Sequence, residues 1–267
     1  MAADFKRLIE EFKRISSQKW IPSMNIGTGS VGLTFENELK KSPDSMFFPD
    51  YNGIELKCTT RFSRFPFSLF SIAFDGPTYP EINRIVELYG YSDYKFYGNK
   101  ILRVDLNTSE KTKKGNYQFK LNVDRKEEKL FLEVYDLNDN LIEKKSFVYL
   151  DSVLKRLELK LSNLAIVHSS RKIINKEEFF RYYELDAYEL KNNVFLKLLE
   201  EGKIVVTLES RIGKSGMYEG KYKNKNLVFK IKREYLEDLF TKVYSINTDY
   251  DIYKTIDNKQ SNFYIFP

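Results

Sequence analysis

The stretch from Phe48 to Lys57 reads F-P-D-Y-N-G-I-E-L-K, and it decides how the rest of the chain is interpreted. Asp50 follows a proline, Glu55 comes five residues later, and Lys57 lies two residues beyond Glu55. From Gly53 onwards apolar and polar residues alternate, which predicts a β-strand. Side chains two apart on a strand face the same side, so Glu55 and Lys57 should point together. Asp50, in the preceding turn, can fold back to the same place.

Two carboxylates and one amine in this arrangement suit the hydrolysis of a phosphodiester. Asp50, Glu55 and a backbone oxygen at Leu56 would form a hard-oxygen site for Mg²⁺. Lys57 would orient or activate the attacking water and offset charge in the transition state. The spacing is that of a P-D…E-x-K nuclease centre. Surface strands with Glu and Lys two apart are common, so a solvated strand face is the alternative interpretation.

The composition is that of a folded, basic protein without disulfides. The chain has 267 residues, of which 42% are hydrophobic and 31% charged, and this suits one large domain or two modest lobes. A net charge of +6 favours anionic partners. Cys58 is the single cysteine, which predicts a reduced, cytoplasmic protein. The N-terminus lacks the apolar run of a signal peptide, and no stretch approaches the ~18 apolar residues of a membrane helix.

A single histidine restricts the chemistry further. His168 excludes zinc sites built from Cys and His, excludes HNH-type nucleases, and leaves one candidate for a serine–histidine triad. It ends the apolar stretch Leu164–Val167, so we expect a buried strand here and a structural or surface role for the histidine.

Periodicity divides the chain into the helices and strands of a mixed α/β (α+β) protein. Ser30 is a candidate cap for the second helix. Helices are predicted at residues 4–16, 31–39, 81–89, 150–160, 176–201 and 233–241. Strands are predicted at residues 53–58, within 65–80, and at 100–106, 117–124, 129–136, 141–149, 162–168, 203–208 and 227–232. The four strands between residues 100 and 149 suggest an antiparallel meander.

A second motif lies upstream of the first. Residues 27–36 read G-T-G-S-V-G-L-T-F-E and put Glu36 on the second helix. Together, G-x-G-x-V-G-x-T-F-E and P-D-x-x-G-I-E-L-K resemble the MvaI/BcnI restriction endonucleases, which are relatives of the mismatch-repair nickase MutH. Residues 211–216, R-I-G-K-S-G, are similar to the family's R-I-G-x-S-G segment, and residues 163–167 look like a family core strand. The resemblance spans roughly residues 5 to 245.

The resemblance implies a type II restriction endonuclease that cuts double-stranded DNA at a short specific sequence with Mg²⁺. It implies that Asp50 and Glu55 are metal ligands, that Lys57 is the catalytic lysine, and that Glu36 is an auxiliary acid. An ordinary exposed helix residue is the alternative for Glu36.

The resemblance to the family also implies an architecture, an oligomeric state and a cellular location. We expect a restriction-endonuclease-like mixed sheet flanked by helices, with two lobes around a DNA cleft. Residues 1–160 would form mainly the catalytic lobe, residues 161–245 mainly the recognition lobe, and residues 246–267 a tail of unknown role. We further expect a monomer in the bacterial cytoplasm, and a cognate DNA methyltransferase could belong to the same system.

The segment that would read DNA bases departs from the family pattern. The family has His-x-His-Gly-Thr before Phe-Arg-Ile, whereas residues 223–231 read K-N-K-N-L-V-F-K-I, so lysine replaces both histidines and the arginine. Lys and Arg favour guanine acceptors, and Asn favours adenine. Arg211 is therefore a candidate guanine contact and Asn224 a candidate adenine contact. The target can differ from the family's CC-(W or S)-GG sites.

Basic residues dominate the segment 203–233, which holds nine Lys or Arg against two Glu. They would neutralise phosphates and make binding salt-dependent, with a solvated basic loop as the alternative. Arg61 and Arg64 could grip phosphates near the cut or be ordinary surface charges. The DNA-binding candidates are Arg61, Arg64, Arg211, Lys214, Lys221, Lys223, Asn224, Lys225 and Lys230.

Two other functions remain open at this point. One is a MutH-like nickase that cuts one strand of hemimethylated DNA with the help of repair partners. The other is a non-catalytic DNA-binding module that kept the fold. The presence of Glu36, Asp50, Glu55 and Lys57 together argues against the second. Signatures of RNA recognition are not evident.

Overall fold

The computed structural model describes residues 3–25, 27, 29–40, 48–60 and 66–249, and these residues form two compact units. The first unit comprises the described residues within Met1–Arg64, Leu159–Leu190 and Phe240–Pro267, and the second those within Phe65–Glu158 and Lys191–Leu239. Each unit is thus assembled from segments that are distant in sequence, whereas the expected lobes were continuous. Which unit carries catalysis and which carries recognition stays a prediction.

The described residues contain six α-helices and two short 3₁₀ helices. The α-helices are α1 (Ala3–Ser17), α2 (Ser30–Glu38), α3 (Glu81–Tyr89), α4 (Leu150–Leu161), α5 (Phe195–Glu200) and α6 (Leu236–Leu239). The 3₁₀ helices are Gly216–Tyr218 and Arg233–Tyr235. Among these described helices, none is long and apolar enough to cross a membrane.

Fifteen strands complete the described secondary structure. They are β1 (Ile21–Pro22), β2 (Glu55–Thr60), β3 (Phe67–Ile72), β4 (Tyr91–Ser92), β5 (Lys100–Leu106), β6 (Thr112–Lys114), β7 (Tyr117–Asp124), β8 (Lys129–Tyr135), β9 (Leu141–Glu143), β10 (Phe147–Tyr149), β11 (Asn163–Ile174), β12 (Glu177–Leu190), β13 (Ile204–Ile212), β14 (Tyr222–Ile231) and β15 (Phe240–Asn247).

The first unit is built on a mixed five-stranded sheet. Its order is β1-β12-β11-β2, and β15 pairs with the other part of β12. The strand β2 runs parallel to β11, with Glu55 opposite Leu164 and Lys57 opposite Ile166, whereas the other pairings are antiparallel. The sheet therefore places the two polar residues of the E-x-K motif beside a buried apolar strand.

A long hairpin forms the centre of this sheet. Its turn is Asn175-Lys176, and both residues have positive φ, 51° and 70°, as a type I′ hairpin turn requires. The helix predicted at residues 176–201 is wrong, because most of that stretch is the strand β12. Its Glu, Leu and Ala residues favour a helix, but backbone hydrogen bonds to β11 on one side and to β1 and β15 on the other override that local preference.

Helix α1 covers one face of the sheet with the apolar residues that its periodicity predicted. Phe5, Leu8, Phe12 and Ile15 are completely buried and belong to the same core as Ala165 and Tyr182 of the central hairpin. The prediction that Ser30 caps α2 is wrong, because the N-cap residue is Gly29. The Ser30 hydroxyl contacts the Gly27 carbonyl and, at 2.9 Å, the Glu178 carboxylate.

The second unit contains two further sheets. One has the order β3-β14-β13-β5-β4, and the other has the order β10-β8-β7-β6 with β9 beside β8. The predicted antiparallel meander is confirmed for β7 to β10 but is wrong for β5, which pairs with β13 in the other sheet. Alternation of apolar and polar residues shows that a segment is a strand, but it does not show which distant strand the segment pairs with.

Phe12 tests how far the first unit depends on α1. Because its ring is fully buried against the sheet, Phe12→Ala should lower the free energy of unfolding by about 3–5 kcal/mol. The exposed neighbour Lys13 provides the control, and Lys13→Ala should change stability by less than about 0.5 kcal/mol. Denaturant unfolding followed by circular dichroism measures both, and equal effects would contradict the packing of α1.

Candidate active site

A tight turn brings Asp50 back to the strand that carries the other two motif residues. Tyr51 and Ile54 exchange two backbone hydrogen bonds of 2.9 and 2.8 Å, and Asn52 and Gly53 between them have positive φ. The carboxylate of Asp50 accepts a hydrogen bond of 3.0 Å from the backbone N–H of Leu56. This bond holds an acid from the turn against the backbone immediately between Glu55 and Lys57.

Glu55 is a buried carboxylate held between two lysines. Its side chain is 1% exposed, which is unusual for an ionisable group. Lys57 Nζ lies 2.5 Å from its Oε1, and Lys160 Nζ lies 3.3 Å from its Oε2. Burial raises the pKa of Glu55 and nearby Asp50 adds to that rise, while Lys57 and Lys160 lower it. The two cations therefore stabilise the ionised form of a carboxylate that desolvation disfavours.

Sequence reasoning missed Lys160, which lies in the last turn of α4. It is 103 positions from Lys57, and no motif links the two residues. A basic residue in the last turn of a helix is also common for a local reason, because it complements the helix dipole. Nothing in the sequence therefore distinguished Lys160 from an ordinary helix-terminal lysine.

The acidic oxygens of the site fit a divalent cation. Among the described residues, Oε2 of Glu55 is buried and accepts no hydrogen bond, although the ammonium of Lys160 lies 3.3 Å from it. The ion pair leaves this oxygen without a hydrogen bond, and a metal ion is one group that would coordinate it. The carboxylate of Asp50 lies next to Leu56, so its oxygens and the Leu56 backbone supply the hard-oxygen donors that such ions prefer.

Glu36 on α2 lies close to the same strand. Burial raises the pKa of the Cys58 thiol, and the carboxylates of Glu36 and Asp50 raise it further. Both acids are thus within electrostatic range of one thiol on β2, and α2 packs directly against that strand. Glu36 is partly buried, unlike the exposed helix residue of the alternative interpretation.

The β13–β14 hairpin brings several DNA-binding candidates together. Arg211 lies opposite Lys223, and Ser210 lies opposite Asn224. The guanidinium of Arg211 is about half exposed and lies 3.1 Å from Glu209. Asn224 contacts Ser210 at 2.6 Å and donates to Asn83 at 2.9 Å. Arg211 therefore presents a polar group to solvent, whereas Asn224 is already hydrogen-bonded within the unit.

Other candidates are dispersed or fall outside the described part. Lys230 lies seven residues along β14 from Lys223, which corresponds to roughly 20 Å. Lys221 is exposed, whereas the ammonium of Lys214 contacts the buried carboxylate of Asp93. Arg61, Arg64 and the side chain of Lys225 lie outside the described residues.

A separate cluster surrounds the single histidine. The ligand atoms of His168, Glu184 and Asp186 lie within 4.8 Å of one another. Burial alone would raise the pKa of Asp186, but hydrogen bonds from His168 and Ser245 and the charge of Lys242 outweigh it and hold the pKa at about 2. Lys242 Nζ lies 3.2 Å from Asp186, so this carboxylate already has a cationic partner.

Comparison with known proteins identifies the architecture. The chain is similar to the structure titled "Restriction endonuclease MvaI-cognate DNA substrate complex", with 25% identity and a TM-score of 0.84 over 91% of this chain and 100% of that chain. It is also similar in fold to the structure titled "Restriction endonuclease MvaI in the absence of DNA", with 23% identity and a TM-score of 0.57 over 92% and 98% of the two chains. Comparison with curated protein sequences gave no match.

The fold is thus that of a restriction endonuclease. A model of the MvaI/BcnI restriction endonuclease family matches residues 9–240, and the chain belongs to that family. It is a type II restriction endonuclease, a site-specific deoxyribonuclease, and its family generally uses a divalent metal ion.

The contact between Lys160 and Glu55 predicts a shift in the pH dependence of cleavage. If Glu55 is a ligand of the divalent cation, it binds in its ionised form, so activity should fall as the pH drops through the pKa of Glu55. Lys160 lowers that pKa, so Lys160→Met should raise it and move the acidic limb of the cleavage profile to higher pH. Single-turnover rates across a pH series measure this limb.

Lys155 on the same helix provides the matched control. Its side chain is 75% exposed and pairs with Asp151 rather than with the site. Lys155→Met should leave the acidic limb where the wild-type protein has it. A Lys160→Met profile that also coincides with the wild-type profile would contradict an electrostatic link between Lys160 and Glu55.

Proposed function

We propose that the chain hydrolyses phosphodiester bonds in double-stranded DNA at a short sequence, with Mg²⁺ bound by Asp50, Glu55 and the backbone oxygen of Leu56. The observation that carries this proposal is the convergence of Asp50 and Lys57 on the Glu55 segment of one strand. The hydrogen bond from Leu56 to Asp50 and the ion pair of Lys57 with Glu55 gather all three groups in a member of a restriction endonuclease family.

Each side chain has a role that follows from its charge and position. Asp50 and Glu55 supply anionic oxygens, and the Leu56 N–H fixes the orientation of Asp50. Lys57 Nζ orients the attacking water and offsets the negative charge that develops on the phosphate. Glu36 is the auxiliary acid near this centre. When held by Asp50, Glu55 and the Leu56 backbone oxygen, Mg²⁺ would polarise the scissile phosphate and lower the pKa of a water molecule bound to it.

Recognition is assigned to the β13–β14 hairpin. The guanidinium of Arg211 is suited to bidentate contact with guanine, and Lys223 lies opposite it on the neighbouring strand. Lys221 and further lysines of the segment would neutralise phosphates and make binding salt-dependent. One of the similar structures is an MvaI complex with its cognate DNA, which supports duplex DNA as the substrate class of this chain.

We also propose an oligomeric state and a cellular location for the protein. A monomer with one active site would cut the two strands one after the other. The protein would act in the bacterial cytoplasm, where a cognate DNA methyltransferase would protect the host sequence. Analytical ultracentrifugation of the protein with and without a DNA duplex tests the monomer.

Incubation of the protein with Mg²⁺ and a sequenced phage genome tests the function directly. Sequencing of the fragment ends should return one motif at discrete double-strand breaks and so reveal the target. A motif without any G·C pair would contradict the role of Arg211. Nicks confined to one strand of hemimethylated sites would indicate a MutH-like nickase, and binding without any cutting would indicate a non-catalytic DNA-binding module.

Substitutions at the centre should separate catalysis from binding. Asp50→Asn and Lys57→Met should each reduce cleavage at least about 100-fold, because they remove a metal ligand and a charge that stabilises the transition state. Both variants should fold and should bind target DNA in Ca²⁺, and Lys57→Met should unfold at a lower temperature because it removes a cation from the buried Glu55 carboxylate. Gel assays under single-turnover conditions measure the cleavage rate.

The exposed ion pair of Asp151 and Lys155 supplies controls of the same residue types. Asp151→Asn and Lys155→Met should cleave like the wild-type protein, because both side chains are largely exposed on α4. Cleavage by Asp50→Asn or Lys57→Met at a rate close to wild type would refute the assignment of the centre.

A further inference from the structure

Two loops of the second unit present large apolar side chains to solvent. Tyr94 and Tyr97, in the loop that follows β4, are 75% and 86% exposed, and Met217, in the connection between β13 and β14, is 76% exposed. Tyr222 at the start of β14 is about half exposed. We call these four side chains the aromatic tip. Contacts of Lys95 with Lys214 and Glu219 join the two loops, and large apolar side chains exposed on one part of a surface are typical of an interaction site.

A buried aspartate joins the two loops. Asp93 is completely buried, and its carboxylate accepts backbone hydrogen bonds from Lys95 at 2.8 Å and from Phe96 at 2.9 Å. The same carboxylate accepts hydrogen bonds from the ammonium of Lys214 in the other loop. These bonds hold the pKa of Asp93 below its ordinary range, so the contact stays ionic at neutral pH.

Further contacts hold the loops in one arrangement. Lys95 Nζ donates to the Lys214 carbonyl and to the Glu219 carboxylate, both at 2.7 Å. Lys214 Nζ lies 4.3 Å from the centre of the Tyr94 ring. The Tyr222 hydroxyl donates to the Lys100 carbonyl at 3.1 Å. The exposed side chains of the aromatic tip therefore project from loops that are joined to each other by these polar contacts.

The charge around the aromatic tip favours a polyanion. Residues 91–100 and 211–223 together hold six Lys or Arg against two acids, Asp93 and Glu219. Both acids are paired with lysines of the same loops. Arg211 pairs with Lys223 near the end of the recognition hairpin, and Met217 lies in the connection that joins the two strands there, so the aromatic tip borders that end of the hairpin. Tyr222 pairs with Ile212 and so points to the other face from Arg211 and Lys223. Basic surroundings and exposed aromatic rings are the combination that contacts bases and phosphates at once.

We propose that the aromatic tip is a second DNA contact, which inserts Tyr97 and Met217 at a base step of the duplex beside the bases read by the β13–β14 hairpin. This inference rests on the proposed function, since it names a further part of the same DNA-binding surface. Apolar side chains inserted between base pairs unstack them and bend the duplex, and the deformation adds selectivity at positions without a direct base contact.

Fluorescence of 2-aminopurine tests the insertion. The base would be placed in turn at each adenine position within and beside the mapped target, with Ca²⁺ in place of Mg²⁺ to prevent cleavage. The wild-type protein should enhance fluorescence strongly at one step. The double variant Tyr97→Ala, Met217→Ala should lose this enhancement and bind the target about tenfold to a hundredfold more weakly.

Tyr149 provides the control, because it is a partly exposed tyrosine of the same unit in the sheet that does not contain β13 or β14. Tyr149→Ala should leave both readouts unchanged. The proposal is overturned if the double variant binds like wild type, if the wild-type complex enhances fluorescence at no position, or if the double variant instead changes the oligomeric state in ultracentrifugation. Failure of the wild-type protein to bind or cut any DNA would refute the proposed function itself. That outcome differs from the loss of the insertion alone, in which the wild-type protein still binds and cuts its target.

Discussion

The parallel pairing of β2 with β11 is the constraint on which the first unit and its site depend. It buries Ile54 and Leu56 in the core beneath α1 and α2, and it thereby fixes the residues between and after them. Glu55 becomes a buried acid and Lys57 a partly exposed base on one strand. A shift of the pairing by one residue would turn both side chains to the opposite face of the sheet.

Burial of Glu55 then sets the electrostatics of the centre. A carboxylate removed from water requires compensating charge, and Lys57 and Lys160 approach its two oxygens from separate elements. This environment keeps an anionic carboxylate in place without solvating it. A divalent ion and a DNA phosphate entering such a site would meet groups that are already oriented, so little reorganisation would accompany the reaction.

In the second unit, contacts between two loops support a polar surface. The β13–β14 hairpin is longer than its sequence suggested, and its loop is joined to the loop after β4 through the buried carboxylate of Asp93. Loops that are joined by hydrogen bonds and ion pairs have less conformational freedom to lose when a ligand binds, which lowers the entropic cost of association. These hydrogen bonds would favour the duplex contacts that we propose for Arg211 and the aromatic tip.

The sequence by itself determined the local chemistry, because the P-D…E-x-K spacing and the alternation of apolar and polar residues are patterns within a few neighbouring residues. It placed Asp50, Glu55 and Lys57 on one turn and strand, and helical periodicity gave α1 its buried face. Only the tertiary structure decided what lies far apart in the chain. It turned residues 177–190 into a strand through pairing with β11, and it brought Lys160 to Glu55 across more than a hundred residues. Local preference cannot encode such contacts, since their energy comes from burial and hydrogen bonds that exist only once the chain has folded.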